Sequence, residues 1–219
     1  MIVLIGGEKG GTGKTTLSTN LATNLILNGE DVLVIDTDPQ GSFTTWSSIR
    51  DETAKLNPDM NIKRVTCVVK TGKTIHKEIE DLKNRFKHIV IDAGGKDSVE
   101  LRSAMLVADK MYSPIQPSQF DVWTTANMEV LVEQAKIVNP KLNAYIVISK
   151  AHTNAKVTDA SEAKNIVADL DSINLANSII YERQIYRKAA KNGLSVMEYD
   201  NNKAILEFGD FYKEVFGVN

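Results

Sequence analysis

Eight residues near the start of the chain, Lys9-Gly10-Gly11-Thr12-Gly13-Lys14-Thr15-Thr16, constrain its folding more than any other feature. They follow a short β-branched run, Ile2–Ile5, and open into a segment with Leu17, Leu21, Ala22 and Leu25 at helical spacing. A glycine-rich turn from a buried strand into a helix aims successive backbone N–H groups at one point. The helix start adds about half a positive charge there. Glycine suits such a turn because side chains would block an approaching anion and the backbone angles are unusual. An anion of this kind is a phosphate: Lys14 is placed to reach β- and γ-phosphates, and the Thr15 hydroxyl to ligate Mg²⁺.

The same alternation continues along the chain. Apolar runs at 2–5, 32–35, 88–91, 110–115 and 145–148 read as strands buried on both faces, with one further strand possible in the irregular stretch 57–71. Helices are expected at 15–28, 74–86, 98–108, 121–138, 159–170, 184–192 and 202–216. Strand–helix alternation of this kind predicts an α/β fold with a doubly wound, mostly parallel sheet and sites at the carboxyl ends of its strands. No linker-like composition divides the chain, so residues 1–219 are expected to form a single domain.

Composition removes several alternatives. With 219 residues, 42% of them apolar, the chain can build a core without disulfides. The lone Cys67 supports neither a disulfide nor, by itself, an iron–sulfur cluster. The apolar amino terminus lacks the basic flank and cleavage pattern of a signal peptide, and no run approaches the ~20 apolar residues of a membrane span. His76, His88 and His152 show no metal-ligand spacing.

Two further strand ends carry carboxylates. Asp36 and Asp38, in Asp36-Thr37-Asp38-Pro39-Gln40-Gly41, leave the second strand on the same side. One can hold a Mg²⁺-bound water and the other can orient an attacking water. The run His88-Ile89-Val90-Ile91-Asp92 delivers a third carboxylate, again suited to a Mg²⁺ water, and Gly94 after it lets a backbone N–H approach the γ-phosphate.

The segment Lys9–Thr16 resembles the deviant Walker A motif K-G-G-x-G-K-[ST] of the ParA/MinD/NifH group of P-loop ATPases, and 36–40 resembles the D-x-D-P-Q segment of ParA proteins. Ser113–Asp121 and Arg183–Val196 resemble the P-x-x-P-S-x-x-D and R-x-x-Y/F…G-x-S-V segments of partition ATPases, especially the short ParF-like type. Ala93-Gly94-Gly95 departs from the D-x-P-P or D-x-P-G often found after Asp92. The lone cysteine argues against the NifH branch, which needs cluster-ligating cysteines.

What this resemblance implies is an ATPase using ATP and Mg²⁺ to segregate DNA. Phosphate contacts would come from Lys9, Gly10, Gly11, Thr12, Gly13, Lys14, Thr15, Thr16 and Gly94. The metal would be held by Thr15, Asp36 and Asp92, with Asp38 on the attacking water. Lys9 would reach across a homodimer formed with ATP to the partner's nucleotide. The dimer would bind nonspecific DNA, in the cytoplasm and on the nucleoid, and a centromere-binding ParB/ParG-type protein would stimulate hydrolysis.

A formal charge of −2 hides two basic stretches. Arg183, Arg187, Lys188 and Lys191 form a helical stripe, and 63–87 holds eight basic residues against three acidic ones. Either suits a phosphate backbone, so the stripe is the expected DNA contact. Three competitors are a MinD-like membrane ATPase, an ATP-dependent ligase of the dethiobiotin synthetase kind, and a nucleotide-gated binding module with little hydrolysis. The final helix does not favour membrane: Lys203 and Lys213 sit among Glu207, Asp210 and Glu214, where an interfacial helix would be basic.

Overall fold

A computed structural model describes residues 1–117, 122–153, 165, 167–168 and 170–218. Its strands are β1 (Ile2–Ile5), β2 (Val32–Asp36), β3 (Thr66–Val69), β4 (His88–Asp92), β5 (Lys110–Ile115), β6 (Asn143–Ala151) and β7 (Ile173–Tyr181). They form one seven-stranded sheet in the order β3-β2-β4-β1-β5-β6-β7, with every pairing parallel. The described helices are α1 (Lys14–Leu27), α2 (Ser42–Leu56), α3 (Ile75–Leu82), α4 (Val99–Met105), α5 (Val122–Val138), α6 (Gln184–Lys191) and α7 (Asn202–Phe216). Residues 118–121 of the expected proline-containing loop, and most of the helix expected over 159–170, lie outside the described residues.

Side chains alternate across each strand, and this divides the core in two. Ile2, Leu4, Leu33, Ile35, Ile89 and Ile91 face a layer that includes Ile75, Ile79, Leu101, Met105 and Leu131. Val3, Ile5, Val32, Val34 and Val90 face the other, with Leu17, Leu21, Leu25, Phe43, Phe208 and Phe211. Sheets buried on both faces need nearly continuous apolar strands, which is why the β-branched runs were legible. Leu17, Leu21 and Leu25 are fully buried, each contributing about 1.5–3 kcal/mol, so α1 is held by packing on the sheet.

Two elements depart from the sequence expectation, α2 and β7. Ser42-Phe43-Thr44-Thr45-Trp46-Ser47-Ser48 opens α2 with residues that favour turns, yet Phe43, Trp46 and Arg50 are buried. Strand β7 is interrupted by the exposed Asn174 and Asn177, so its sequence lacks a clean apolar run.

The strand order reverses at β1, which lies between β4 and β5. That topological switch point, at the carboxyl ends of the strands, is where the glycine-rich turn emerges.

Candidate nucleotide site

Register brings the carboxylates together. Asp36 pairs with Asp92 across β2 and β4, and Ile5, the last residue of β1, pairs with Asp92 from the other side. The β1–α1 turn therefore leaves the sheet beside both aspartates. Gly11 and Gly13 take φ of 72° and 102°, angles that favour glycine, and α1 starts at Lys14 with no acid in its first turn.

Two of the turn's carbonyls are occupied. The Gly11 carbonyl accepts from Gln116 Nε2 at 2.9 Å and from Lys150 Nζ; that of Lys9 accepts from Lys14 Nζ at 2.6 Å and Thr12 Oγ1 at 3.5 Å. A cavity of about 590 Å³ opens beside the turn. Gly10, Gly11, Gly13, Lys14, Thr15 and Thr16 line one wall, 37–40 and Ser42 a second, Gly94, Gly95, Lys96, Ser98 and Glu100 a third. Lys150 completes the lining. Thr12 is buried beneath the turn, and Lys9 stands half-buried at its start.

Asp92 is fully buried, with Thr15 Oγ1 donating at 2.8 Å and Ser18 Oγ at 2.7 Å. Burial pushes its carboxyl up to about 7; the two hydroxyls and Lys14 oppose that rise, and nearby Asp36 adds to it. Burial likewise lowers the Lys14 ammonium below its ordinary value, against the attraction of Asp92 and Asp38. Thr15, which lines the cavity, thus touches Asp92, and a hydroxyl and a carboxylate are hard-oxygen donors of the kind Mg²⁺ takes beside water and phosphate oxygens.

Asp36, which the sequence assigns to the metal shell, has both carboxylate oxygens engaged by the protein. One oxygen accepts from the Asp38 N–H at 3.1 Å; the other accepts from Thr44 N–H and Thr44 Oγ1, both at 2.9 Å. It caps the first turn of α2 and does not line the cavity. The donors come from a helix the sequence did not reveal: α2 brings orphan N–H groups that need an acceptor. Asp38, by contrast, does line the cavity, and a Cβ on Gly94 would lie 3.5 Å from its carboxyl carbon.

The basic stripe is broken up by folding. Arg183 Nε pairs with Glu207 Oε2 at 2.7 Å and its guanidinium carbon lies 5.3 Å from the Tyr181 ring centre; Arg187 pairs with Glu182. Both arginines also line a second cavity of about 160 Å³ that shares Gly13, Thr16 and Lys150 with the first. Lys188 lies 5.5 Å from the Tyr199 ring centre, and Lys191 is exposed. In 63–87, Arg64 pairs with Asp51, Lys70 with Glu78, Lys83 with Glu80 and Lys87 with Glu30. Spacing along a helix could not reveal the partners that arrive from other elements, Glu207, Asp51 and Glu30.

Sequence reasoning also missed Ser18, Gln116, Gly95 and the contact of Lys150 with the turn. A positive φ of 55° at Lys150, unusual for a side-chain-bearing residue, marks that position in the structure. In the sequence only its place after the apolar run 145–148 points to it.

Comparison with known proteins identifies the fold and the family. The maintenance of carboxysome distribution protein A of Halothiobacillus neapolitanus is 26% identical over 199 residues, covering 89% of this chain and 85% of that protein. The sporulation initiation inhibitor protein Soj of Bacillus subtilis is 24% identical over 253 residues, covering 98% and 97%. The ATP complex of Cyanothece McdA shares the fold, with a TM-score of 0.74 at 16% identity over 100% of this chain and 96% of that one. Residues 3–196 match the CobQ/CobB/MinD/ParA nucleotide binding domain, and the chain belongs to that family.

Proposed function

We propose that this chain is an ATP-dependent partition ATPase whose ATP-bound homodimer holds nonspecific DNA. What favours this function is that one cavity gathers Lys14, the first-turn amides of α1 and Asp38 beside Gly94. The turn's amides and Lys14 bind the β- and γ-phosphates, and Lys14 must leave the Lys9 carbonyl to do so. Mg²⁺, held by Thr15 Oγ1 and through water by Asp92, would neutralise charge on the phosphates. Asp38 orients the attacking water, and Asp36 fixes the loop that carries Asp38. Lys9 crosses to the partner's nucleotide and stabilises transferring charge as an arginine finger does. The smaller cavity between Lys150, Tyr186 and Arg183 takes the base. A centromere-binding ParB/ParG-type protein would complete the cycle by stimulating hydrolysis.

DNA contact then rests on Lys188, Lys191 and the exposed end of Arg187, a smaller footprint than the sequence stripe. The name of the Halothiobacillus relative favours a second version, in which the cargo is a protein body distributed within the cell. A membrane role is disfavoured: among the described residues no helix is long and apolar enough to span a bilayer, and Phe208, Phe211 and Val215 of α7 are buried in the core.

Binding to random-sequence DNA should require ATP–Mg²⁺ and be lost with ADP or no nucleotide. Co-sedimentation with liposomes in place of DNA would overturn the proposal. So would phosphate release that depends on a small-molecule acceptor in single-turnover assays.

A further inference from the structure

Helix α2 begins at the larger cavity and ends against the turn that follows α6. Ser42 lines the cavity, and so does Asp38, which begins the single turn that leads into α2. Two helical turns further on, Arg50 is fully buried and directs its donors to Lys63 and to two points of 192–198. Nε donates to the Lys63 carbonyl at 2.8 Å, Nη1 to the Gly193 carbonyl at 3.0 Å. Nη1 and Nη2 also grip Glu198 at 2.8 and 2.7 Å, a bidentate pair.

Neighbouring groups tie the same two pieces together. Trp46 Nε1 donates to the Leu194 carbonyl at 3.3 Å, and Thr53 Oγ1 to that of Asn192 at 2.9 Å. Gly193 has φ +64°, and a Cβ there would lie 2.2 Å from the Arg50 backbone nitrogen. Backbone therefore rests on backbone. Glu198 also accepts from the Ser195 N–H at 3.0 Å, so one carboxylate both closes its own turn and receives Arg50.

Buried ion pairs add little net stability compared with an apolar replacement, yet they demand one geometry. A planar guanidinium with fixed donors cannot slide without losing several bonds together. Movement of α2 must therefore carry 192–198 with it, and that segment continues directly from α6, which bears Arg187, Lys188 and Lys191.

We propose that Arg50 is a positioning residue that locks the 38–41 loop, α2 and α6 into one moving unit, so that the nucleotide state of the cavity reaches the basic face. This rests on the nucleotide-driven switch proposed above. Coupling between two sites is reciprocal, so DNA on α6 would also bias the Asp38 loop.

Hydrogen exchange with and without ATP–Mg²⁺ tests the lock without requiring DNA. In the wild-type chain, nucleotide should change exchange both in 38–56 and in 184–198. In R50M/E198L, which removes both charges so that neither is stranded, the change should stay within the cavity and vanish from 184–198. R50K, which keeps the charge but loses the fork, should respond between the two, and it decides alone if the double variant does not fold. A wild-type response in 184–198 for the folded variants, or no response there in the wild type, overturns the proposal. In parallel, the ATP-to-ADP ratio of DNA affinities should fall from about 5–150-fold to about 2-fold or less in R50M/E198L. A wild-type chain that binds DNA in no nucleotide state sinks the DNA function, while the exchange result still decides the role of Arg50.

Discussion

The phosphate corner and the basic stretches are both runs of informative residues in the sequence, but folding treats them differently. At the corner, the working groups are mostly backbone amides, fixed by Gly11, Gly13 and the start of α1. Their direction follows from local dihedral angles, so the turn forms as its sequence reads. Along 63–87 and 183–191 the working groups are the ends of long side chains. Those ends find acids from elsewhere: Glu207 for Arg183, Asp51 for Arg64, Glu30 for Lys87. A backbone motif survives folding, whereas a count of charges is revised by it.

The sharpest way to break this comparison is Lys9→Ala. If the turn works as a phosphate cradle completed across a dimer, ATP-dependent dimerisation should disappear and kcat should fall by about 10³–10⁵, as for loss of an arginine finger. Nucleotide affinity should persist, because the amides and Lys14 remain. Unchanged dimerisation by light scattering would remove the trans role from Lys9.

On the other side of the comparison, Arg183→Ala should act first on stability. Glu207 has a side chain only 5% exposed and would lose its cation, keeping only the Tyr181 N–H and Tyr186 hydroxyl. Breaking a buried pair costs about 3–5 kcal/mol, and the surviving bonds place this one near the lower end. Chemical denaturation measures it; an unaltered midpoint would return Arg183 to the list of exposed DNA contacts.

Within the corner, Gly95 and Gly10 separate fold from function. A Cβ on Gly95 would lie 2.8 Å from Gly10 Cα and 2.9 Å from Gly10 N, backbone atoms that cannot yield cheaply, whereas one on Gly10 would meet nothing within 4 Å. Gly95→Ala should therefore cost about 1–3 kcal/mol of stability. Gly10→Ala should stay within about 0.5 kcal/mol of wild type, with any loss confined to nucleotide affinity. Equal thermal stability of the two variants would contradict the close packing of 94–95 on the turn.

How much could be read in advance follows the same division. Strands β1, β2, β4, β5 and β6 were legible because burial on both faces demands apolar runs, and the glycine-rich turn because its residues serve one local geometry. Helix α2 was hidden because its buried face is Phe43, Trp46 and Arg50, and a buried arginine looks like surface until Glu198, 148 residues away, is brought to it. The contact of Asp36 with α2 was hidden for a related reason: without α2 there was no helix for it to cap. Strand β7 was lost to Asn174 and Asn177 at the sheet edge.

The pH dependence of stability probes the corner more gently. Burial raises the Asp92 carboxyl from 3.8 to about 7, so between those values the folded chain keeps a proton that the unfolded chain has released. The resulting contribution is full below about pH 4 and is lost as pH rises to about 7. Without Mg²⁺, stability from this group should decline across that window, and Asp92→Asn should flatten the decline. Mg²⁺–nucleotide affinity should rise over the same range, since the cation needs the ionised carboxylate. A slope unchanged in Asp92→Asn would assign the titration to another group.

The smallest effect falls on the residue that folding leaves most as the sequence had it. Lys191 is exposed and forms no ion pair among the described residues, so Lys191→Ala should change stability by no more than about 0.5 kcal/mol. If it touches a DNA phosphate, the slope of log affinity against log salt should become shallower by about 1 for each protomer that makes the contact, equally for every DNA sequence. Arg187→Ala should behave in between, because its exposed guanidinium must first leave Glu182 to reach a phosphate. An unchanged salt slope in both variants would move the DNA-binding face away from α6, and the basic stretch 63–87, with Lys73, Lys77 and Arg85, would be the next surface to test.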